Sequence, residues 1–214
     1  MEEVDAIRLC QRGDMDGLEP LIERYQARAL QLTYLLTGDL SLAEDITQDS
    51  FVLVFRRSQQ FDLARPFGPW FFRIATNMAR ERLRSRRRLR EVTLDSDLLG
   101  EQANTPTMDD GAARRLLTLD PATYAEQAEE RAALFAALDA LTQKQREAII
   151  LRYYLGCNDQ ECAAIAGCRE GAFRVRLHGG LQALKQVLRK RYPWLLPAGL
   201  STDSLEAQRN VAVE

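Results

Sequence analysis

The stretch FGPWFFRIATNMARERLRSRRRLR, Phe67 to Arg90, sets eight arginines against one carboxylate, Glu81. On a helix turning 100° per residue, Phe71, Ile74, Ala75, Met78 and Ala79 form an apolar stripe. Trp70, Arg73, Thr76, Asn77, Arg80, Arg84 and Arg87 fall on the opposite side, within an arc of roughly 120°. Guanidinium groups neutralise phosphates and an aromatic ring stacks on an unstacked base, so this face suits nucleic acid. A merely solvated basic face needs no tryptophan. Just upstream, RRSQQFDLARPF reads as a polar loop that presents Phe61 as a second aromatic to a base.

A second basic segment has a different logic. In LTQKQREAIILRYYLGCNDQECAAIAGCREGAFRVRLHGGLQALKQVL, Thr142 and Gln145 have capping-box spacing, and Ile149, Ile150 and Tyr153 supply an apolar face. Asn158 is placed to cap a short second helix ending at Ala166, where Gly167 permits a sharp turn. A third helix starts near Arg169 and Glu170, with Phe173, Leu177, Leu181, Leu184 and Leu188 inward. Two helices joined by a short glycine-containing turn, the second of them basic, describe a helix-turn-helix. Arg169, Arg174 and Arg176 are the residues to meet phosphates or base edges in a major groove.

These segments must be positioned by helices. Apolar spacing at i, i+3 and i+4 recurs through most of the chain and β-branched alternation never persists, so the expected fold class is all-α, as two small helical domains. Charge divides the chain further. Residues 1–66 are net acidic, 67–90 basic, 91–130 acidic and 131–192 basic, although the whole carries a formal charge of only -2. The acidic segment is scattered with Pro, Gly, Asn and Thr and reads as a tether. The expected organisation is therefore a helical domain over 1–90, a flexible linker over 91–128, a helix-turn-helix domain over 129–192 and a tail over 193–214.

Composition excludes several classes. No apolar run approaches the roughly 18 residues of a membrane helix, and the acidic amino terminus lacks an apolar signal core, so a cytoplasmic protein without membrane insertion is expected. Cys10, Cys157, Cys162 and Cys168 lack paired C-x2-C spacing and the only histidine is His178, so they read as small buried thiols. Neither a metal site, a cofactor nor a catalytic set is expected.

At this point the chain resembles the bacterial RNA polymerase sigma factors of the sigma-70 family, specifically the compact extracytoplasmic-function (ECF) group. AEDITQDSFVLVFRRSQQFD resembles the family's polymerase-binding helix, with Asp45, Gln48 and Phe51 in an Asp-x-x-Gln-x-x-Phe pattern. RPFGPWFFRIATNMARERLRSRRR resembles its -10 reading segment at Phe67, Trp70, Arg73, Ile74, Ala75 and Asn77. LTQKQREAIILRYYLG with GCREGAFRVRLH resembles its -35 helix-turn-helix, and GDMDGLEPLIERYQ its first helix.

The resemblance implies a non-catalytic subunit that binds core RNA polymerase, recognises promoter DNA and helps to open it, and, as in many members, an anti-sigma factor partner. By this likeness Asp45, Gln48, Asp49 and Phe51 meet core polymerase. Phe61, Trp70, Asn77, Arg73, Arg80 and Arg84 hold the melted non-template strand at the -10 element. Arg169, Arg174, Val175 and Arg176 read the double-stranded -35 element. The linker acids Asp95, Asp97, Glu101, Asp109 and Asp110 are implied to thread polymerase channels.

Val175 and Gly179 depart from the family's usual exposed residues, and Gly179-Gly180 carries a helix-propensity cost of about 2 kcal/mol relative to Ala-Ala. Weak or apolar reading of the upstream element, with Val175 against a thymine methyl, is the expectation. Trp194, Leu195 and Leu196 are expected to fold back on the second domain or, alternatively, to bind a regulator. The main rival is a stand-alone helix-turn-helix transcriptional regulator, which leaves Asp45–Phe51 and Trp70 unexplained. A nucleic-acid enzyme and an RNA-binding adaptor are more distant rivals.

Overall fold

A computed structural model of the chain describes residues 1–95 and 128–196. The linker and its acidic residues therefore lie almost wholly outside the described residues, as does the tail beyond Leu196. The first unit comprises α1 (Glu3–Gln11), a 3-10 turn (Met15–Gly17), α2 (Leu18–Thr37), α3 (Leu40–Arg57) and α4 (Phe67–Asp95). The second comprises α5 (Ala128–Asp139), α6 (Gln143–Tyr153), α7 (Asp159–Ala166), α8 (Glu170–Arg191) and a closing 3-10 turn (Pro193–Leu195). All regular structure among the described residues is helical, which gives the expected all-α class.

Leu21, Tyr25, Ala29, Leu32 and Leu36 follow helical spacing along α2 and are buried. They face Ile46, Phe51 and Val54 of α3 and Phe67, Phe71, Phe72 and Ala75 of α4, all buried as well. Buried hydroxyls on the α2–α3 seam are satisfied locally. Thr33 donates to the Ala29 carbonyl at 2.9 Å, Thr47 to that of Ala43 at 2.7 Å, and the two hydroxyls meet at 3.2 Å. α2 ends at Gly38, whose φ of 70° is left-handed, and Asp39 then caps α3 by accepting from the Leu42 N–H at 2.9 Å.

In the second unit Thr142 and Gln145 form the expected capping box on α6, and Asn158, expected as a simple cap, forms a second box with Glu161 on α7. Gly180 explains a residue pair that propensity alone disfavours. A Cβ placed there would lie 3.2 Å from both the Cβ and the backbone oxygen of Gln145 and 3.3 Å from Ile149 Cδ1, so glycine lets α8 approach α6 closely. The Gly-Gly step is thus a packing device.

The two units pack against one another. Phe71 and Phe72 of α4 and Ala148, Leu151, Leu155 and Ile165 of the second unit belong to one continuous apolar cluster. Phe135 of α5 lies 5.7 Å from the Tyr34 ring of α2, and Arg28 of α2 donates to the Leu155 carbonyl at 3.0 Å. Tyr154 donates to Gln31 at 2.7 Å, and burial pushes its phenol up to about 12. Arg146, lowered to about 10 by burial, donates to the Leu36 carbonyl at 3.3 Å and pairs with Asp139.

Candidate nucleic-acid interface

The apolar stripe of α4 faces inward as its spacing predicts, and Phe71 is fully buried. Trp70, half-buried, rests on Phe61 with ring centroids 4.9 Å apart and on Phe67 at 5.7 Å. Here the expectation for Phe61 is corrected. Its ring is only 5% exposed, sealed against Phe67 and Trp70 rather than displayed on an open loop. An aromatic side chain gains more by joining such a cluster than by standing in water. Gln11 of α1 fixes the loop by donating to the carbonyls of Ser58 at 3.1 Å and Phe61 at 2.9 Å. Gln11 carried no sequence signal, because its partners are backbone atoms roughly fifty positions away.

The arginines of α4 have several environments. Arg73, Asn77 and Arg84 are exposed. Arg82 and Arg86 instead bridge back to α3, to Asp49 at 2.9 Å and Asp39 at 2.8 Å. Arg80 is enclosed. Its Nε donates to Glu147 Oε2 at 2.6 Å, and its Nη2 to Glu147 Oε1 at 2.5 Å and the Ala166 carbonyl at 2.9 Å. Its Nη1 donates to Asn77 at 2.8 Å. Thr76, read with the exposed residues, is fully buried and its hydroxyl has no partner, a second correction. It lies on the flank of α4 between buried Phe72 and Arg80.

On α3, Asp45 and Gln48 are exposed and Asp49 partly so, on one side of the helix. Phe51 is not with them. It is 4% exposed and packs on Phe71 with ring centroids 4.8 Å apart, so it anchors the helix and does not line the outer surface. Val52, one turn after Gln48 and 46% exposed, continues the outer face and went unnoticed, because a single valine in an apolar run looks like core.

α7 ends in the expected turn at Gly167, whose φ is 65°. Arg169 is exposed at the N-cap of α8, and Val175, at 73% exposed, stands out on its surface. Arg176 is partly buried, and Arg174 is already engaged by Asp159 at 2.9 Å and by Glu170. Trp194 does not fold back as expected. It is 59% exposed and contacts the Tyr192 ring at 5.6 Å.

Among the described residues there is no group of three histidines, cysteines or acids that would hold a metal ion, and no helix long and apolar enough to cross a membrane. All four cysteines are free; Cys10 and Cys162 are buried, Cys157 and Cys168 partly so. The Cys162 thiol holds that of Cys157 below the ordinary thiol range, while burial raises Cys10.

Comparison with known proteins agrees with this geometry. The family model for sigma-70 region 2 matches residues 21–89 and that for sigma-70 region 4 matches residues 131–184. The ECF RNA polymerase sigma factor SigW of Bacillus subtilis (strain 168) is 28% identical over 86% of this chain and 95% of its own. RNA polymerase sigma factor CarQ of Myxococcus xanthus is 30% identical over 82% and 91%. Among solved structures, RpoE in complex with the anti-sigma factor NepR from Bartonella quintana superposes with a TM-score of 0.56 at 26% identity, covering 82% of this chain and 98% of that one. CnrH in complex with the cytosolic domain of CnrY shares the fold, with a TM-score of 0.61 at 21% identity over 88% and 98%.

Proposed function

Because this chain belongs to the extracytoplasmic-function sigma factors of the sigma-70 family, which bind core RNA polymerase and direct it to promoters, we propose how its own residues divide that work. The observation that carries the reading is the order of parts: a region 2 match on α2–α4 with a tryptophan–arginine face, then a region 4 match on a capped helix-turn-helix. A stand-alone helix-turn-helix regulator has no use for the first of these.

Asp45, Gln48 and Asp49, with Val52 beside them, form the face that docks on core polymerase, while Phe51 holds that face in place from inside. Trp70, supported by Phe61, stacks on an unstacked base of the non-template strand, and Asn77 hydrogen-bonds a base edge. Arg73, Arg80 and Arg84 neutralise its phosphates. Base stacking worth about 1–3 kcal/mol offsets the few kcal/mol of extracting a base from the duplex. At the -35 element Arg169 and Arg176 meet the backbone, and Val175 is placed for a thymine methyl. Arg174 reaches DNA only by exchanging Asp159 and Glu170 for phosphate. An anti-sigma factor is a further partner in this proposal, supported by the complex seen for RpoE.

The test is co-elution of the purified protein with bacterial core RNA polymerase, followed by mapping of start sites on a fragmented genomic library. Asp45→Ala/Gln48→Ala is expected to weaken co-elution at least about tenfold, a loss of about 1.4 kcal/mol. A double variant that co-elutes and initiates like the parent overturns the assignment of this face.

A further inference from the structure

We propose that the second unit is itself the competitor of promoter DNA for α4, with Glu147 and the carbonyl end of α7 occupying at Arg80 the place of a phosphate. This inference rests on the reading of α4 as the -10 face. Two parallel N–H···O bonds to a carboxylate are the geometry by which a guanidinium also takes a phosphate, and both Glu147 oxygens are used at 2.5 and 2.6 Å. The Ala166 carbonyl adds a third acceptor from the C-terminal, electronegative end of α7. Arg80 therefore has no equivalent set of donors left for DNA while the units are closed.

Further observations fit a clasp that opens. The Glu147 side chain is 4% exposed and that of Arg80 18% exposed, so the pair is largely shielded from water, and removing Arg80 strands a buried carboxylate while removing Glu147 leaves a mostly buried guanidinium unpaired. Thr76, one turn before Arg80, keeps a fully buried hydroxyl without a partner, which water or a strand would satisfy once α4 is uncovered. Arg73 lies alongside as well: a Cβ on Gly167 would sit 4.0 Å from its Nη2, so the helix-turn-helix turn flanks a second arginine of the face. The rest of the seam is the shared apolar cluster with three polar bonds, from Arg28 to the Leu155 carbonyl, Arg146 to the Leu36 carbonyl and Tyr154 to Gln31, whose donors and acceptors water can satisfy when they separate.

The experiment uses the full chain. Glu147→Ala, Glu147→Gln and the charge exchange Arg80→Glu/Glu147→Arg are compared with the parent by solution X-ray scattering. Their binding to a fluorescein-labelled single-stranded DNA of mixed sequence is measured in parallel, with circular dichroism reporting helix content. Both single variants are expected to increase the radius of gyration and to bind the oligonucleotide at least about tenfold more tightly, a gain lost again on adding Trp70→Ala. The charge exchange, which re-forms the ion pair but gives up the bond to the Ala166 carbonyl, is expected to bring the dimensions back toward the parent's without the gain in binding. Folded single variants that stay compact, or that expand without binding DNA more tightly, overturn the proposal. If Glu147→Ala loses helix content, Glu147→Gln and the exchange decide by the same criteria. Failure of parent and variants alike to initiate with core polymerase strikes instead at the reading of α4 beneath it.

Discussion

Arg73, Arg80 and Arg84 lie within three turns of one helix and look alike in the sequence, yet one borders a glycine turn, one is sealed in an ion pair and one stands in solvent. Composition marks such residues as basic and periodicity gives their side of the helix; neither says what will cover them. The same limit explains Phe51 and Phe61. Asp45, Gln48 and Phe51 recur every three residues, a spacing that drifts around the helix, so the pattern begins on the outer face and ends in the core. Phe61 was legible as important but not as buried, because its partners Phe67 and Trp70 come from the next helix. Asp39 gives a prediction at this scale. Burial opposes its charge, but the Leu42 N–H and the Arg86 guanidinium outweigh burial and leave the carboxyl below its usual range. A lowered folded value means the stabilisation is full above the ordinary carboxylate value of about 3.9 and is lost as pH falls through the folded one. Asp39→Ala is expected to cost about 1 kcal/mol near neutrality, in chemical denaturation, with the gap to the parent closing below roughly pH 4. A gap that does not narrow in acid contradicts the assignment.

At the scale of elements, sequence reasoning succeeded where signals are local. The caps at Thr142 and Asn158, the turn at Gly167 and the inward stripe of α4 all follow from residues within one or two turns of each other. It failed at Gly179-Gly180, where the deciding contact comes from α6, some thirty-five positions earlier. The two glycines now separate. A Cβ at Gly179 meets only the Gln145 amide at an ordinary 3.6 Å, so Gly179→Ala is expected to stabilise by up to about 1 kcal/mol through helix propensity. Gly180→Ala gains the same propensity but presses on the Gln145 backbone, which the capping box fixes, and is expected to lose about 1–3 kcal/mol to overpacking. Thermal denaturation of the two single variants checks this, and equal shifts would remove the close-approach argument.

For the whole molecule, charge segregation and helical periodicity foretold two helical units with a basic face on each, and the family matches fall on those units. What the sequence did not disclose is that the units share a core and that a glutamate of one holds an arginine of the other. Glu147 sits among polar residues of α6 and looks like any solvated surface acid until Arg80 is brought to it from sixty-seven positions away. If the clasp at Arg80 works as proposed, the units must part before that arginine can take a phosphate, which gives core polymerase two tasks: to dock on α3 and to hold the units apart. The most direct measurement is permanganate reactivity of thymines around a mapped start site, with holoenzyme made from the parent or from Trp70→Ala/Arg73→Ala. Both holoenzymes are expected to assemble equally, the parent to expose unpaired thymines upstream of the start, and the double variant to lose that reactivity at least about tenfold. A double variant that melts the promoter as fully as the parent would contradict the claim that the tryptophan–arginine face of α4 holds the opened strand.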